Sequence, residues 1–425
     1  MTPKSDSNRA ARWAALVDYL GAMAPSVEFV GNLAHERGEQ AWLVGGLVRD
    51  FLLGREVRDL DVVVVGDGVG LTKEVARQHG GSAVIHPSFG TAHWSPPGID
   101  IATARTETYP TMGALPKVTA GDLQQDLYRR DFTINMMAIG LSPGERGVLM
   151  DPYSGQSDLA AGLLRVVHEK SFFDDPTRAW RAARFAERFG VAVEPQTQQW
   201  LDKAKDARAM DAITDERLGA EIRRVWMEPN PGSVWALAQQ WGLLDRVVPC
   251  LSSDENLAAR LASVVSVWRE VSKRFDATTL DCQEACWLAV GLALTDVQRG
   301  DRQRLLAGHK GWGQRWMSGP GRIVTAVERL SKSTSCGDYG DALMGLTLPE
   351  IIVVLSQLKD EQPVWWWLEE GRLIELSIDG HRLMASGLAP GPQLATALSA
   401  ARRIAWNGGN TQAQLAAAIA ASKSD

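Results

Sequence analysis

Two carboxylates stand two residues apart at the start of an apolar run, Asp59 and Asp61 leading into Val62–Val65. On a β-strand, side chains at i and i+2 point to the same face, so a strand here would place both carboxylates side by side. Their mutual repulsion is relieved by a divalent cation, and hard oxygen ligands suit Mg²⁺, which also binds substrate phosphates. A second interpretation stays open, in which the aspartates only begin the strand or pair with Arg55 or Arg58.

A glycine pair precedes these aspartates. Gly45 and Gly46 follow the apolar run AWLV and open a short helical pattern, LVRDFLLG. Glycine lets the backbone approach a bulky anion closely, and the start of a helix favours negative charge. Arg49 lies within that helix, where its guanidinium can meet a phosphate or a hydroxyl. The segment therefore predicts a phosphate platform beside a metal site.

The elements that must position these side chains are of two kinds. Up to about residue 140, apolar strand runs alternate with helical patterns, which predicts a small mixed sheet covered by helices. From about residue 155, amphipathic helical patterns dominate to the end of the sequence. Between them, Thr103–Arg129 carries two prolines and two glycines with weak periodicity, which predicts a mobile loop leading into a short helix. The predicted fold class is α+β.

The composition excludes several classes of protein. At 45% hydrophobic and 23% charged residues the chain is ordinarily globular, and no segment approaches the roughly 18 apolar residues of a membrane span, so we expect a cytoplasmic protein. A net charge of −6 argues against a surface that binds polyanions as a whole, but it allows a local basic cleft. The seven histidines include no His-Asp dyad, which argues against a histidine-based metal hydrolase.

The longer pattern GGLVRDFLLGREVRDLD, residues 45–61, resembles the active-site signature of the polymerase-beta-like nucleotidyltransferases, in particular the class II tRNA nucleotidyltransferase and bacterial poly(A) polymerase family. Further segments that resemble the family's follow in its order: GIDIATARTE at 98–107, LYRRDFTINMMA at 127–138, DPYSGQSDLAAGLLRVV at 151–167, FFDDPTRAWRAARFAERFG at 172–190 and ITDERLGAEIRRVW at 213–226. The resemblance implies that Asp100 is a third carboxylate beside Asp59 and Asp61, and that Arg130 contacts the nucleotide.

The segment FFDDPTRAWRAARFAERFG also suggests how a base is read. On a helix, Arg178, Arg181, Arg184 and Arg188 fall within an arc of roughly 120°. The carboxylate of Asp175 can accept the exocyclic amino proton of cytosine or adenine, while Arg178 donates to the adjacent ring nitrogen. Uracil and guanine present a carbonyl oxygen instead of that amine, so acceptor faces acceptor. Arg181 and Arg184 would then serve the triphosphate or hold Asp175.

The function implied by this resemblance is template-independent addition of C and/or A, from CTP and ATP, to the 3′ end of tRNA with Mg²⁺ as cofactor. Complete CCA addition ranks first, because the 103–129 segment is nearly full length and retains Glu107. Addition of the terminal A alone ranks second, CC alone third and poly(A) tailing fourth. A noncatalytic RNA-binding protein on the same fold is a further alternative, which the presence of both Asp59 and Asp61 disfavours.

The resemblance also implies a domain order: a helical extension at residues 1–30, the catalytic head at 31–150, a nucleotide-reading neck at 151–230, a helical body at 231–330 and a helical tail at 331–425 that contacts the tRNA elbow. Basic residues are expected to concentrate along 178–188, 217–224 and 402–403. The triplet Trp365–Trp367 is interpreted as helix packing rather than as a base-stacking platform. The sequence predicts no oligomeric state.

Overall fold

A computed structural model describes residues 3–56, 59–87, 90–247, 256–293 and 313–423. The chain divides into two compact units, an amino-terminal unit at residues 1–214 and a carboxy-terminal unit at 215–425. All strands among the described residues belong to the first unit, and the described part of the second is helical. The predicted α+β fold class is therefore confirmed. No described helix is both long and apolar enough to cross a membrane.

The amino-terminal unit alternates helices and strands. Its helices are α1 (Pro3–Leu20), α2 (Ala24–Glu36), α3 (Gly46–Leu52), α4 (Gly68–His79), α5 (Leu123–Tyr128), α6 (Gly155–Ala161), α7 (Ser171–Asp174), α8 (Thr177–Phe189) and α9 (Pro195–Asp206). Its strands are β1 (Gln40–Val44), β2 (Asp61–Val65), β3 (Ser82–His86), β4 (Thr91–Ser95), β5 (Ile99–Thr103), β6 (Arg105–Thr108), β7 (Lys117–Ala120), β8 (Ala138–Gly140), β9 (Leu149–Met150), β10 (Leu163–Leu164) and β11 (Ala192–Val193).

Seven strands form the main sheet, in the order β3-β4-β5-β2-β1-β8-β9. Strands β2 and β5 pair in parallel and the other neighbours are antiparallel, so the sheet is mixed as predicted. The parallel register places Asp61 directly beside Asp100. The first element of the candidate site is therefore set by strand pairing.

Alternating side chains of the central strands enter two cores, one on each face of the sheet. Val62 and Val64 pack with helices α1 and α2 through residues such as Leu16 and Val30. Val63 points the other way and joins a smaller core that contains Leu127 of α5. Each such side chain, when fully buried, contributes about 1.5–3 kcal/mol of transfer free energy. Because Leu16 shares a core with the strands, the helices before residue 30 are part of the same packed layer.

Two local predictions were wrong. Strand β2 begins at Asp61, so Asp59 precedes the strand instead of opening it, although the Leu60 carbonyl between them still accepts from the Asp100 N–H at 2.9 Å. The segment 103–129 is also not a loop, because β6 and β7 form an antiparallel hairpin before α5. These strands, RTET and KVTA, are too polar to produce an apolar alternation, and the cross-strand hydrogen bonds form without one.

The described helices of the carboxy-terminal unit are α10 (Asp215–Trp226), α11 (Pro231–Gln240), α12 (Leu257–Arg274), α13 (Thr279–Ala293), α14 (Gly313–Leu330), α15 (Cys336–Leu343), α16 (Leu348–Leu355), α17 (Gln362–Glu369), α18 (Gly380–Ala385), α19 (Pro392–Trp406) and α20 (Thr411–Ala421). Trp367 is buried and packs edge-to-face on Trp406, with ring centroids 5.6 Å apart. Trp366 lies 6.0 Å from Tyr339. These contacts agree with the helix-packing interpretation of the tryptophan triplet.

Candidate functional site

The carboxylates Asp61 and Asp100 lie on the same face of the sheet. Ile99 and Ile101 point into the first core, so Asp100 between them points to the opposite face, which Asp61 shares with Val63. Asp61 is half-buried, whereas the Asp100 side chain is 59% exposed and lies 2.7 Å from Nδ1 of His93. Pairing between β2 and β5 therefore places Asp61 and Asp100 side by side, an arrangement that the sequence predicted for Asp59 and Asp61.

Electrostatics at Asp61 suit a divalent cation. Burial raises the pKa of the Asp61 carboxyl, the nearby Arg130 lowers it, and the charges of Asp100 and Asp59 raise it further. Bringing several carboxylates together without a counter-cation is costly, and oxygen ligands of this type prefer Mg²⁺. Within the described ranges no group of three or more His, Cys, Asp or Glu side chains is close enough to hold a metal. The adjacent carboxylates of Asp61 and Asp100 would supply oxygen donors of the kind that Mg²⁺ prefers.

The alternative pairing of these aspartates with neighbouring arginines finds no support at Arg55. Its guanidinium lies over the ring of Phe189, 4.6 Å from the centroid. Arg58 lies outside the described residues.

Gly45 and Gly46 form a close backbone approach next to Asp61. Gly45 has φ +70°, a conformation that favours glycine, and it precedes the first residue of α3. A Cβ atom on Gly45 would lie 2.8 Å from a terminal nitrogen of Arg130. The Arg130 guanidinium is held by Asp126 at 2.8 Å. Because these groups line one cleft of about 320 Å³ together with Asp61, Asp175, Arg178 and Arg181, we call it the nucleotide cleft.

Arg49 does not line the nucleotide cleft. Its buried guanidinium donates to Oδ1 of Asn135 at 2.6 Å, pairs with Asp50 at 2.9 Å and lies 4.4 Å from the ring centroid of Phe189. Asn135 itself lines the cleft. Arg49 therefore lies behind Asn135, although the sequence predicted that its guanidinium would meet the ligand.

The predicted base-reading pair, Asp175 and Arg178, is held in place by hydrogen bonds. Oδ1 of Asp175 accepts hydrogen bonds from the Thr177 backbone N–H at 3.1 Å and the Thr177 hydroxyl at 2.6 Å, which fixes the carboxylate at the start of α8. The buried Arg178 donates to the Ser171 hydroxyl at 2.5 Å and to the Arg129 carbonyl at 2.7 Å. Both side chains line the nucleotide cleft, so the predicted pairing is brought together.

Arg181 and Arg184, the other two α8 arginines predicted to serve the nucleotide, lie in different surroundings. Arg181 lines the cleft and pairs with the buried Asp131, with its Nε 2.7 Å from Oδ2. Burial alone would raise the pKa of the Asp131 carboxyl, but Arg181 and the Asn135 amide lower it to about 2. Arg184 is buried, 5.9 Å from the ring centroid of Phe185, and is not a lining residue.

A network that was not predicted joins the hairpin to α5. Arg129 donates to Glu107 at 3.0 Å and pairs with the buried Asp126 at 2.8 Å. Glu107 also accepts from the Tyr109 hydroxyl at 2.9 Å, and Arg105 lies 3.1 Å away. The i, i+3 and i, i+4 spacings of Asp126 in α5 from Arg129 and Arg130, which directly follow this helix, were the sequence signal for this network.

Comparison with known protein sequences finds relatives of part of the chain. The family model described as Poly A polymerase head domain matches residues 41–165. The A-adding tRNA nucleotidyltransferase of Aquifex aeolicus is 37% identical over 263 residues, which cover 61% of this chain and 32% of that relative. The chain therefore spans about a third of this curated relative's length.

Similarity to solved structures extends over nearly the whole chain. A CCA-adding enzyme in its apo form II has a TM-score of 0.83 and 26% identity, covering 96% of this chain and 98% of that one. The Thermotoga maritima CCA-adding enzyme complexed with tRNA has a TM-score of 0.78 and 25% identity, covering 96% and 97%.

Proposed function

We propose that this chain, whose residues 41–165 are a head domain of the poly(A) polymerase family and whose fold is that of the CCA-adding enzymes, is a template-independent tRNA nucleotidyltransferase. It adds C, A or both to the tRNA 3′ end from CTP and ATP. The observation that carries this proposal is the nucleotide cleft, in which a carboxylate, a glycine turn and a base-reading Asp-Arg pair line one space.

In the proposed reaction, a tRNA 3′ hydroxyl attacks the α-phosphate of the incoming nucleotide and pyrophosphate leaves. Asp59 and Asp61 hold Mg²⁺, with Asp100 assisting. The cation, when bound, lowers the pKa of the hydroxyl and neutralises charge on the leaving oxygens. No protein nucleophile is needed, because transfer of this kind depends on positioning and charge.

The chain's own residues supply that positioning. The backbone at Gly45 and Gly46 and the guanidinium of Arg130 hold the triphosphate next to Asp61. Arg49 acts from behind by orienting Asn135, and the buried Arg184 supports α8. These two arginines thus have positioning roles, since neither lines the cleft.

Asp175 and Arg178 select the base. Hydrogen bonds from Thr177 hold the carboxylate of Asp175 at the start of α8, where it can accept an amino proton of the base. Arg178 is oriented by Ser171 and the Arg129 carbonyl, so it presents a donor in a fixed direction. A rigid acceptor beside a rigid donor matches the amino and ring-nitrogen edge shared by cytosine and adenine.

Complete CCA addition is the first product we propose. Addition of A alone is the second, favoured by the name of the Aquifex aeolicus relative. CC alone and poly(A) tailing follow in that order. A noncatalytic RNA-binding role is last, because both aspartates and the nucleotide cleft are retained.

We further propose that the protein is cytoplasmic. We also propose the division into extension, head, neck, body and tail given above, in which the tail at residues 331–425 contacts the tRNA elbow. Support comes from a groove of about 560 Å³ lined by Arg329, Lys332 and Arg403 together with Asp338 and Asp341. Arg403 pairs with both acidic residues, so this groove is only moderately basic.

The test is incubation of the purified protein with tRNAs that lack CCA, end after CC, or are complete, supplying CTP and ATP separately and together. Product length on a sequencing gel distinguishes the four activities. Addition to none of the three tRNAs would contradict the proposal. Addition of many A residues to all three tRNAs from ATP alone would replace it with poly(A) tailing.

A further inference from the structure

A second cleft adjoins the nucleotide cleft within the amino-terminal unit. It has a volume of about 580 Å³, and Glu107, Tyr109, Arg129 and Arg178 line both spaces, so these residues form a common wall. Neither Asp61 nor the glycine pair lines it. Besides Tyr109 of the common wall, three aromatic side chains do, namely Tyr128, Tyr153 and His168. We call this space the stacking cleft.

The aromatic side chains present a flat, accessible surface. The Tyr128 ring stacks on the His168 ring at 5.2 Å and 27°, and Tyr153 lies 5.8 Å from Tyr128 at 52°. Tyr128 is 44% exposed, so part of its ring is accessible to a ligand in the cleft. Burial, followed by the charges of Arg178 and Lys170, lowers the pKa of His168 to about 4. The imidazole is therefore neutral at physiological pH, and the pair stacks without a charge.

The charges of the stacking cleft do not suit a triphosphate. Its two arginines are engaged, since Arg178 donates to Ser171 and a backbone carbonyl while Arg129 pairs with Glu107 and Asp126. The exposed Lys170 supplies one further cation at the edge, and the carboxylates of Asp122 and Asp174, which also line the cleft, disfavour a multiply charged anion. A space with an aromatic surface and a single flexible cation matches a nucleoside with one phosphodiester.

We propose that the stacking cleft holds an unpaired base of the acceptor RNA's 3′ segment on Tyr128, with Lys170 at its phosphodiester. The inference rests on the proposed function, because it needs an RNA acceptor next to a nucleotide in the neighbouring cleft. The common wall brings the two ligands together, so the RNA end is oriented by a base other than the one that reacts. Single-stranded RNA is commonly held in this way, by stacking on aromatic side chains.

The test compares Tyr128→Ala with Tyr128→Phe, which keeps the ring. Steady-state addition is measured with tRNA ending after CC and ATP, and with tRNA lacking CCA and CTP. Loss of one stacked base raises the KM for tRNA roughly 5- to 100-fold in Tyr128→Ala, and Tyr128→Phe restores it to near the wild-type value. The KM for ATP and CTP stays within about twofold of wild type.

A static measurement avoids the chemistry. An acceptor RNA stem with a single-stranded 3′ end carrying 2-aminopurine is titrated with protein in the absence of nucleotide. Stacking quenches its fluorescence with the wild type and with Tyr128→Phe, and the quenching is lost with Tyr128→Ala. Lys170→Met weakens RNA binding about threefold and makes it less dependent on salt.

Three results would overturn the inference. A rise in the KM for ATP or CTP would assign the cleft to the incoming base. A lower kcat at unchanged KM for tRNA would mean that Tyr128 acts through Arg129. Unchanged kinetics together with unchanged quenching would show that no base lies there. In each case a wild-type enzyme that still extends tRNA leaves the proposed function standing.

Discussion

The two rims of the nucleotide cleft are built differently. At the strand rim, Asp61 and Asp100 lie side by side on parallel strands, and their like charges oppose one another. At the helix rim, Asp131, Asp175, Arg178 and Arg181 are held by complementary partners: Asp131 by Arg181, Asp175 by Thr177 and Arg178 by Ser171. A bound cation would lower the energy of the first rim, whereas the side chains of the second rim already have complementary partners within the protein.

The difference teaches which chemistry each rim suits. Carboxylates that repel one another bind a metal strongly, and their side chains need not be held in one position before the metal binds. Groups that must distinguish one base edge from another need a fixed direction, since discrimination is lost if donor and acceptor can exchange. We therefore expect substitutions at the strand rim to abolish the reaction and those at the helix rim to change its selectivity or stability.

The largest effect is expected for Asp61→Asn. Removing a metal-binding charge lowers the rate of addition on the order of 10³-fold. Burial and the nearby acidic charges raise the pKa of this carboxyl, so the fold disfavours its ionised form, and the variant is expected to melt at or above the wild-type temperature at pH 7 without Mg²⁺. Incorporation of labelled nucleotide and thermal melts check both expectations.

Asp67→Asn serves as the control for Asp61→Asn. Asp67 caps α4 by accepting from the Gly70 N–H at 2.8 Å, a role that asparagine also fills, and its activity should be unchanged. An Asp61→Asn enzyme that keeps wild-type activity, or that unfolds, would erase the distinction between the rims.

At the helix rim, Asp175→Asn is expected to lower kcat/KM for CTP and ATP by about 10- to 100-fold, because an amide can turn its donor toward the base. The same donor faces the carbonyl of uracil, so misincorporation of UTP should rise. Asparagine still accepts from Thr177, which keeps the start of α8 intact. Competition assays with mixed nucleotides measure the ratio, and equal losses for all three nucleotides would argue against base reading by this carboxylate.

The Asp131→Asn variant tests how the stability of the helix rim depends on pH. The pKa of Asp131 is lowered to about 2, so the ionised form stabilises the fold fully above the ordinary carboxyl pKa near 4, and that contribution is lost as pH falls from about 4 to about 2. At pH 7 the variant should lose about 2 kcal/mol of unfolding free energy.

Urea unfolding at pH 7 and near pH 3 measures this change. The difference between the Asp131→Asn variant and the wild type is expected to narrow as the pH is lowered. A difference that stays constant with pH would assign the loss to packing instead of the Arg181 pair.

The smallest difference between a variant and its control is expected where the hairpin joins the two rims. Gly113, in the connection between β6 and β7, donates its N–H to the Phe173 carbonyl at 3.1 Å, next to the base-reading segment. It has φ +68°, and an added Cβ would lie 2.6 Å from the Cβ of Ala212. Gly113→Ala should therefore lose about 1–2 kcal/mol more than the backbone strain alone.

The control for that comparison is Gly162→Ala, where φ is +64° and nothing lies within 4 Å of an added Cβ. Its cost is the strain alone, about 1 kcal/mol. Equal melting temperatures for the two variants would show that the hairpin connection does not hold the rims together.

The sequence predicted the elements whose patterns are apolar. The valine run gave β2, and AWLV followed by two glycines gave β1 and α3, because burial on both sheet faces requires such runs. It did not predict the β6–β7 hairpin, whose strands are polar, or the start of β2 after Asp59. The family resemblance, and not the spacing, identified Asp100, since pairing between distant strands leaves no local pattern.

Charge was harder to predict than apolarity. The helical arc of arginines suggested a face open to the ligand, but Arg178 and Arg184 are buried and only Arg178 and Arg181 line the nucleotide cleft. The periodicity gives the face of a helix, but whether that face meets solvent, ligand or protein depends on elements distant in sequence. Arg49 was buried for the same reason, by Asn135 and Asp50.

Arg129 belongs to more than one space. It lines the nucleotide cleft, the stacking cleft and a third cleft beside Asp61 and Asp100, while its ion pairs hold Glu107 and Asp126. A ligand that strengthens or weakens those ion pairs from one cleft changes the free energy of occupying the others. Such thermodynamic coupling is reciprocal: whatever factor a bound RNA end adds to nucleotide affinity, a bound nucleotide must add to RNA affinity. If both proposed ligands bind, this one guanidinium would couple their affinities within the amino-terminal unit.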